Sequence, residues 1–227
     1  MLLIYKRVMK KIPIYLMPGL AAGPEIFKNL ELDTEKYVLH YLKWIPPLSV
    51  EERIDDYAAR LSNEIKEENP VLVGVSFGGI MVQELAKFLT PRKIIIVSSV
   101  KSPNELPRRF KFAKFTKIYK LFPIKVIENF EDYAHFFLGK SLQKKADLYK
   151  KYLYVRSKES LKWSIYNIIK WEQIKPIDNI IHIHGTADMV FPIKNIKNVI
   201  KIKDGTHIMI ITKAKKISKI IDTILTF

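Results

Sequence analysis

The chain has 227 residues, of which 48% are hydrophobic and 27% charged, a composition typical of one globular domain. It contains no cysteine, which excludes disulfides, thiolate metal sites and cysteine nucleophiles. No apolar stretch approaches the 18 residues that a membrane-spanning helix needs, and the N-terminus lacks the order of a signal peptide, so we expect a cytoplasmic protein.

The net charge of +16 admits two interpretations. A basic surface can attract nucleic acid or an anionic membrane. Lysine can equally be used wherever an exposed surface tolerates it. The lysines are spread along the whole chain and no nucleic-acid-binding motif appears. The second interpretation is therefore favoured, and no nucleic-acid partner is predicted.

The first predicted elements are two strands and a helix. Residues 12–17 (IPIYLM) form an apolar run, and residues 37–44 (YVLHYLKW) combine β-branched and aromatic residues before a Pro-Pro stop. Ser49 followed by Glu52 has the spacing of a capping box, which predicts a helix over 50–67.

The next elements are typical of a parallel sheet covered by helices. The runs 71–75 (VLVGV) and 93–98 (KIIIVS) are continuously apolar, as expected for strands buried on both faces, and a helix ending near residue 90 is predicted between them. The pattern resumes near the C-terminus, with two strands and a final helix predicted at 180–184, 199–202 and 207–225. This alternation predicts an α/β fold.

Residues 101–173 interrupt the alternation. They contain no convincing buried strand and are rich in lysine and aromatic residues, so they are predicted to be several helices inserted between two strands of the sheet. Residues 1–100 and 174–227 then make up the sheet-containing core.

The stretch GVSFGG follows one buried strand and precedes a helix. Gly74, Ser76 and Gly78 give the pattern G-x-S-x-G, which in this context predicts a nucleophile elbow, a turn so tight that the serine is strained and its hydroxyl exposed. Larger residues beside the serine would collide with the neighbouring strand and helix. The short motif recurs by chance, but the strand and helix around it make the prediction specific.

A serine hydroxyl is a weak nucleophile that needs a base, and the base needs an orienting carboxylate. Asp188 lies in HGTADMVFP, directly after one predicted strand, and His207 lies in KDGTHIMI, directly after another. Both follow the carboxyl ends of strands, the edge at which Ser76 lies and at which open α/β sheets bind ligands. The order serine, acid, histidine is also the order expected for an elbow serine.

Each of these residues has an ordinary alternative. Ser76 fits a turn serine, Asp188 a helix cap and His207 a surface histidine, but their order and shared edge favour a catalytic triad. The other four histidines are interpreted as structural, although one of them could line a pocket (His135); the remaining three are His40, His182 and His184.

Acyl transfer also needs two backbone N–H groups aimed at the developing oxyanion. We expect one from Phe77, the residue after the nucleophile, and the other from Leu20 in the loop PGLAAG after the first strand. The small residues of that loop would let backbone approach a ligand. A simple glycine turn is the alternative.

Together, MPGLAAG, GVSFGG, HGTADMVFP and DGTHIMI resemble the α/β-hydrolase fold superfamily over nearly the whole chain. The resemblance implies a central sheet of about six strands, Ser76 as nucleophile, Asp188 as acid, His207 as base, and residues 101–173 as a cap. Many relatives have His-Gly where this chain has Pro18-Gly19, and many begin with an additional hairpin.

These residues predict hydrolysis of a small carboxylic ester through an acyl-enzyme, without a metal or organic cofactor. Acyl transfer, a carbon–carbon lyase that uses the same triad, and a catalytically silent binding protein remain alternatives. A serine at the elbow argues against dehalogenase chemistry, which uses an aspartate there.

Two features of the insertion bear on the substrate. Its aromatic residues either line an apolar acyl pocket or only pack the insertion onto the sheet; they are Phe110, Phe112, Phe115, Tyr119, Phe122, Phe130, Tyr133, Phe136 and Phe137. The basic amphipathic segment 108–122 is interpreted as a lysine-decorated cap helix, with weak contact to an anionic membrane as the alternative.

Overall fold

A computed structural model describes residues 10–116, 157–173 and 175–226, and at its centre lies a sheet of six parallel strands. In chain order the strands are β1 (Ile12–Met17), β2 (Tyr37–Tyr41), β3 (Val71–Val75), β4 (Lys93–Val97), β5 (Ile181–Gly185) and β6 (Ile200–Ile202). The α-helices of the described residues are α1 (Ile54–Ser62), α2 (Phe77–Leu85), α3 (Arg108–Thr116), α4 (Lys158–Lys170), α5 (Met209–Thr212) and α6 (Ala214–Thr226). The predicted α/β class is confirmed.

The strand order β2-β1-β3-β4-β5-β6 determines where a ligand can enter. From β1 the chain moves outward to β2, and then returns to the other side of β1 to form β3. The loops after β1 and β3 therefore diverge at the carboxyl edge of the sheet. In open parallel sheets a crevice forms at such a reversal of strand order.

Both faces of the sheet are covered, which explains the continuous apolar runs of the central strands. In β4, Ile94 and Ile96 pack in the core layer that contains α1, α2 and α4, whereas Ile95 and Val97 pack in the layer that contains α5 and α6. All five residues of β3 are buried. A strand buried on both faces has no polar side, so its sequence does not alternate.

The helix predicted over 50–67 is wrong at both ends, because α1 spans only Ile54–Ser62 and the Ser49 capping box is absent. The Glu52 carboxylate accepts the backbone N–H of Leu48 and pairs with Arg60. The backbone carbonyl oxygen of Glu52 accepts side-chain N–H groups from Trp163 and Asn167 of α4 at 2.9 and 3.1 Å. These tertiary bonds occupy the groups that an earlier helix start would need.

Three further boundaries differ from the sequence predictions. Strand β2 ends at Tyr41 rather than at residue 44, and α2 ends at Leu85 rather than near residue 90. The C-terminal helix is two helices, α5 and α6, separated at Lys213, whose φ of −129° is not helical. His207 precedes both helices and lies in a turn.

Between β4 and β5 the described residues include a 3₁₀ turn (Pro103–Glu105), α3 and α4. The predicted aromatic residues from Tyr119 to Phe137 lie outside the described residues, as does residue 135. Of the three that are described, Phe110 is buried, whereas Phe112 and Phe115 are exposed. Within the described ranges, no helix is both long enough and apolar enough to span a membrane.

Candidate active site

Ser76 links β3 to α2 in a conformation that few L-residues adopt. Its φ is 53° and its ψ is −119°, outside the three broadly allowed regions. The turn is secured by hydrogen bonds to the Ser76 carbonyl oxygen, from the Ser99 hydroxyl at 2.7 Å and from the Gly79 amide at 2.9 Å. The structure therefore has a strained strand-to-helix turn at the serine, as the sequence predicted.

The glycines beside Ser76 are required by close backbone packing. A Cβ atom on Gly74 would lie 2.2 Å from the carbonyl oxygen of Gly78, inside the first turn of α2. A Cβ atom on Gly78 would lie 2.3 Å from the carbonyl oxygen of Pro18 and 2.4 Å from that of Met17. Gly78 thus allows the loop after β1 to lie directly against the start of α2.

The structure brings Ser76, Asp188 and His207 together at the carboxyl edge of the sheet. The Oγ atom of Ser76 lies 2.8 Å from Nε2 of His207, and Nδ1 of His207 lies 2.9 Å from Oδ2 of Asp188. A carboxylate only accepts, so Nδ1 carries the imidazole proton and Nε2 accepts the serine hydroxyl proton. Asp188 is 3% exposed and His207 8%.

Asp188 begins a tight turn that holds its carboxylate in place. Its Oδ1 atom accepts the amides of Val190 and Phe191 at 2.8 and 2.9 Å. Burial alone would raise the pKa of the Asp188 carboxyl. Interactions with His207, with the His184 ring and with the Phe191 amide outweigh burial, and the pKa lies below its usual value. Asp188 is therefore ionised at neutral pH.

His184, which the sequence analysis interpreted as structural, lies directly behind the Asp188 turn. Its Nε2 atom is 2.8 Å from the carbonyl oxygen of Phe191 and 3.6 Å from Oδ2 of Asp188. Because a carbonyl only accepts, Nε2 of His184 is the donor. Its Nδ1 atom lies 3.0 Å from Nε2 of His182. Burial lowers the pKa of both His182 and His184.

Arg109 holds the same turn from the insertion side. Its Nη2 atom donates to the carbonyl oxygen of Val190 at 2.7 Å. Burial lowers the pKa of this guanidinium, and the Asp188 carboxylate offsets part of that effect. Nothing in the local sequence around Arg109 indicates this contact, because α3 and the turn are 80 residues apart in the chain.

The predicted oxyanion donors come from the loop after β1, across β3 from β5 and β6, and from the start of α2. Leu20 is half-buried and follows Gly19, where a Cβ would lie 3.4 Å from the Cβ of Ser76. Within the described residues the Leu20 amide donates no hydrogen bond. Phe77 is the first residue of α2, where a backbone amide has no intrahelical acceptor. Both amides are therefore available to a ligand.

The remaining histidine of the described residues, His40, has other partners. His40 stacks on Tyr15 and pairs with Glu67. Among the residues that the structure describes, no group of three or more His, Asp or Glu side chains is arranged to hold a metal ion.

Neither a protein-family model nor a curated protein sequence matches the chain. Solved structures do match it. Bromoperoxidase from Bacillus anthracis superimposes with a TM-score of 0.66 at 19% identity, covering 96% of this chain and 93% of that chain. A lipase-esterase related protein from Clostridium acetobutylicum gives 0.61 at 17%, covering 93% of each chain. Bacillus megaterium epoxide hydrolase gives 0.64 at 14%, covering 96% and 94%.

These neighbours share one architecture although their names describe different reactions. The chain has the α/β-hydrolase fold, with a six-stranded parallel sheet flanked by helices. At such low identity the likeness establishes the fold alone, so function has to be argued from the site.

Proposed function

We propose that the chain is a serine hydrolase that cleaves carboxylic esters through an acyl-enzyme. Ser76 is the nucleophile, His207 the general base and Asp188 the orienting acid. The observation that carries the proposal is the unbroken hydrogen-bond path from the Ser76 hydroxyl through His207 to Asp188. The turn by itself does not need a strained serine, because a residue that adopts these backbone angles without strain would serve the turn better.

The first half of the reaction forms the acyl-enzyme. His207 Nε2 accepts the Ser76 proton while Oγ attacks the carbonyl carbon of the ester, and the carbonyl oxygen becomes an oxyanion. The buried Asp188 carboxylate stabilises the imidazolium and maintains its orientation. When the tetrahedral intermediate collapses, the carbon–oxygen bond to the alcohol breaks, and the alcohol leaves with the proton from His207.

The oxyanion is stabilised by backbone amides. Phe77 and Leu20 are the proposed donors, and preorganised donors of this kind are worth about 10²- to 10³-fold each in rate. The N-terminus of α2 adds a favourable dipole at the same point. In the second half, His207 takes a proton from water, the hydroxide attacks the acyl carbon, and Ser76 leaves reprotonated.

An ester with an apolar acyl part suits the side chains around the proposed triad. The Phe191 ring packs edge-on against His207 at 5.4 Å, and Phe110 lies 6.2 Å from Phe191. Solved structures with this fold include one named as an esterase, from Thermogutta terrifontis, which is consistent with ester chemistry. The acyl acceptor is proposed to be water, with another alcohol or thiol as the transferase alternative.

The decisive test is labelling with a fluorophosphonate probe, followed by intact-mass analysis and peptide mapping. A single adduct on Ser76, absent from Ser76→Ala, is expected. The absence of an adduct on folded wild-type protein would refute the activated serine and leave a silent scaffold.

A panel of 4-nitrophenyl esters from acetate to decanoate then tests the reaction itself. A pre-steady-state burst equal to the enzyme concentration is expected, because 4-nitrophenolate is a good leaving group and the acyl-enzyme therefore forms faster than water cleaves it. Labelling without turnover of any ester would favour the lyase alternative. Faster release in the presence of added alcohol, with formation of a new ester, would identify a transferase.

A further inference from the structure

Trp44 contacts Phe77 and the peptide group that carries the Leu20 amide. Its indole Nε1–H donates to the carbonyl oxygen of Gly19 at 2.9 Å. Its ring stacks on that of Phe77, with centroids 5.0 Å apart and planes inclined by 9°. One side chain from the segment after β2 therefore joins the loop after β1 to the start of α2.

The bond to Gly19 controls the direction of the Leu20 amide. The carbonyl of Gly19 and the N–H of Leu20 belong to the same peptide group, which is trans, as are all peptide bonds of the described residues. In a trans peptide these two groups point in opposite directions. Because the indole holds the carbonyl on the Trp44 side, the Leu20 N–H is directed away from Trp44.

Only one other hydrogen bond in the described residues holds this carbonyl, from the Ala22 amide to the Gly19 oxygen at 3.1 Å across the turn. Glycine populates a wide range of φ and ψ values, and the space at the Gly19 Cα is not crowded, since a Cβ there would make contacts of 3.4 Å or more. Without the indole bond, the Ala22 amide alone would hold the Gly19 carbonyl, and the peptide group could rock about that single bond. The Leu20 N–H would then be held less firmly in the direction that the oxyanion requires.

Trp44 is itself anchored by its neighbours. The Leu42 amide donates to the carbonyl oxygen of Leu16 at 3.0 Å, which ties the segment to β1. The hydroxyl of Tyr57 accepts the Ile45 amide at 2.9 Å and donates to the Ile45 carbonyl at 2.8 Å. The indole is therefore presented from a rigid backbone rather than from a loose loop.

We propose that Trp44 is a positioning residue that holds the Leu20 amide in the orientation needed to bind the oxyanion. The proposal rests on the proposed serine hydrolase function. Trp44 acts through the peptide group of Gly19 and Leu20, and its single N–H donor is used on the Gly19 carbonyl rather than on the ester.

The experiment compares Trp44→Phe with wild type, because phenylalanine keeps one aromatic ring to stack on Phe77 and removes the N–H donor; the smaller ring is matched in the control below. We expect kcat for 4-nitrophenyl acetate to fall about 10-fold, less than the loss caused by deleting an oxyanion donor, with KM changed less than about threefold. The inhibition constant of an alkyl trifluoromethyl ketone, which forms an oxyanion on the serine, should rise by the same factor as kcat falls.

Trp163→Phe is the matched control. The indole N–H of Trp163 makes one hydrogen bond, to the backbone carbonyl oxygen of Glu52 at 2.9 Å. The Trp163 ring lies in the same aromatic cluster, with its centroid 6.1 Å from that of Trp44. Its kcat and inhibitor affinity should stay within about threefold of wild type. Should Trp44→Phe not fold, β-(3-benzothienyl)alanine at position 44 retains the ring shape and still removes the donor.

The outcomes separate the two proposals. If wild type neither labels with the fluorophosphonate nor cleaves esters, the serine hydrolase proposal fails, and the role of Trp44 fails with it. If wild type is active but the Trp44 variants retain kcat and inhibitor affinity, only the positioning role is overturned. An equal loss in Trp163→Phe also overturns it, because the effect would then belong to packing of the aromatic cluster.

Discussion

The groups on the two sides of Ser76 differ in kind, because one side uses side chains and the other uses backbone amides. On one side, Asp188 and His207 are joined by side-chain hydrogen bonds and a buried charge. On the other side, Leu20 and Phe77 offer backbone amides. The first side depends on which side chains are present, whereas the second depends on the directions in which peptide groups point.

This difference determines how each side can be broken. A conservative side-chain substitution should disable the proposed acid–base side (Asp188 and His207) while leaving the backbone unchanged. The proposed oxyanion side (Leu20 and Phe77) should tolerate most side chains at Leu20 and respond only to changes that remove an N–H, add a Cβ where backbone segments touch, or release a peptide group. The predictions below test this contrast, from the largest expected effect to the smallest.

Asp188→Asn should reduce kcat by about 10³- to 10⁴-fold. The amides of Val190 and Phe191 will keep the remaining carbonyl oxygen facing them, so the new NH₂ group faces His207. His207 must then place its proton on Nε2, where it can no longer accept the Ser76 proton. Steady-state kinetics with an aryl ester test this. A loss below tenfold in a folded variant would contradict the assigned acid.

Leu20→Pro should reduce kcat by about 10²- to 10³-fold, because proline has no N–H to donate. Leu20→Ala is the control, and its kcat should change less than about threefold since the donor is retained. Circular dichroism and thermal melting establish that both variants fold. Equal activities of the two variants would remove Leu20 from the oxyanion side.

Gly78→Ala should lower the free energy of unfolding by about 3 kcal/mol or more, because its Cβ would lie 2.3 Å from a backbone oxygen that cannot easily move. At Gly19 the added Cβ would meet neighbours only at 3.4 Å, so Gly19→Ala should cost about 1 kcal/mol or less. Urea unfolding measures both. Similar losses at the two positions would show that backbone contact at Gly78 is not what requires glycine.

Stability should decrease as pH falls below about 6.5. The pKa values of His182 and His184 are lowered in the folded state, mainly by burial, so at mildly acidic pH the unfolded chain binds protons that the folded chain does not. The free energy of unfolding then falls by up to about 1.4 kcal/mol per pH unit for each histidine. Asp188 partly opposes the shift at His184, whereas Lys101 adds to that at His182.

His184→Gln sharpens this test because glutamine retains an N–H donor for the Phe191 carbonyl but does not titrate. Urea unfolding between pH 5 and 8 should show a shallower slope than wild type. Ile183→Val, on the same strand but in the opposite core layer, should retain the wild-type slope. An unchanged slope in His184→Gln would show that this histidine does not stay neutral.

The proposed acid–base side was predictable because it depends on particular residue types at positions that the sequence pattern identifies. Ser76 lies between required glycines, and Asp188 and His207 each follow a strand. His184 was interpreted as structural, but its partners could not be predicted, since a histidine inside a strand carries no local sign of what it faces. Its contact with the Phe191 carbonyl exists only because the chain turns back after Asp188.

The late start of α1 has the same origin. The capping pattern at Ser49 and Glu52 is a sound local signal, but Trp163 and Asn167 bind the Glu52 carbonyl from more than 100 residues away. Local propensity was overridden by a tertiary contact, which no local pattern contains.

By itself, the sequence determined the class of the fold, the elbow, and the two side chains that meet Ser76 at the sheet edge. Apolar periodicity, glycine spacing and chain order are properties of the residue order itself, so they can be read from the sequence without a structure. Tertiary structure alone decided that Trp44 would bond to Gly19, and that Arg109 and His184 would both bond to carbonyl groups of the Asp188 turn. Peptide directions and contacts between distant segments depend on the packing of the whole chain, because each is selected by neighbours that folding brings into place.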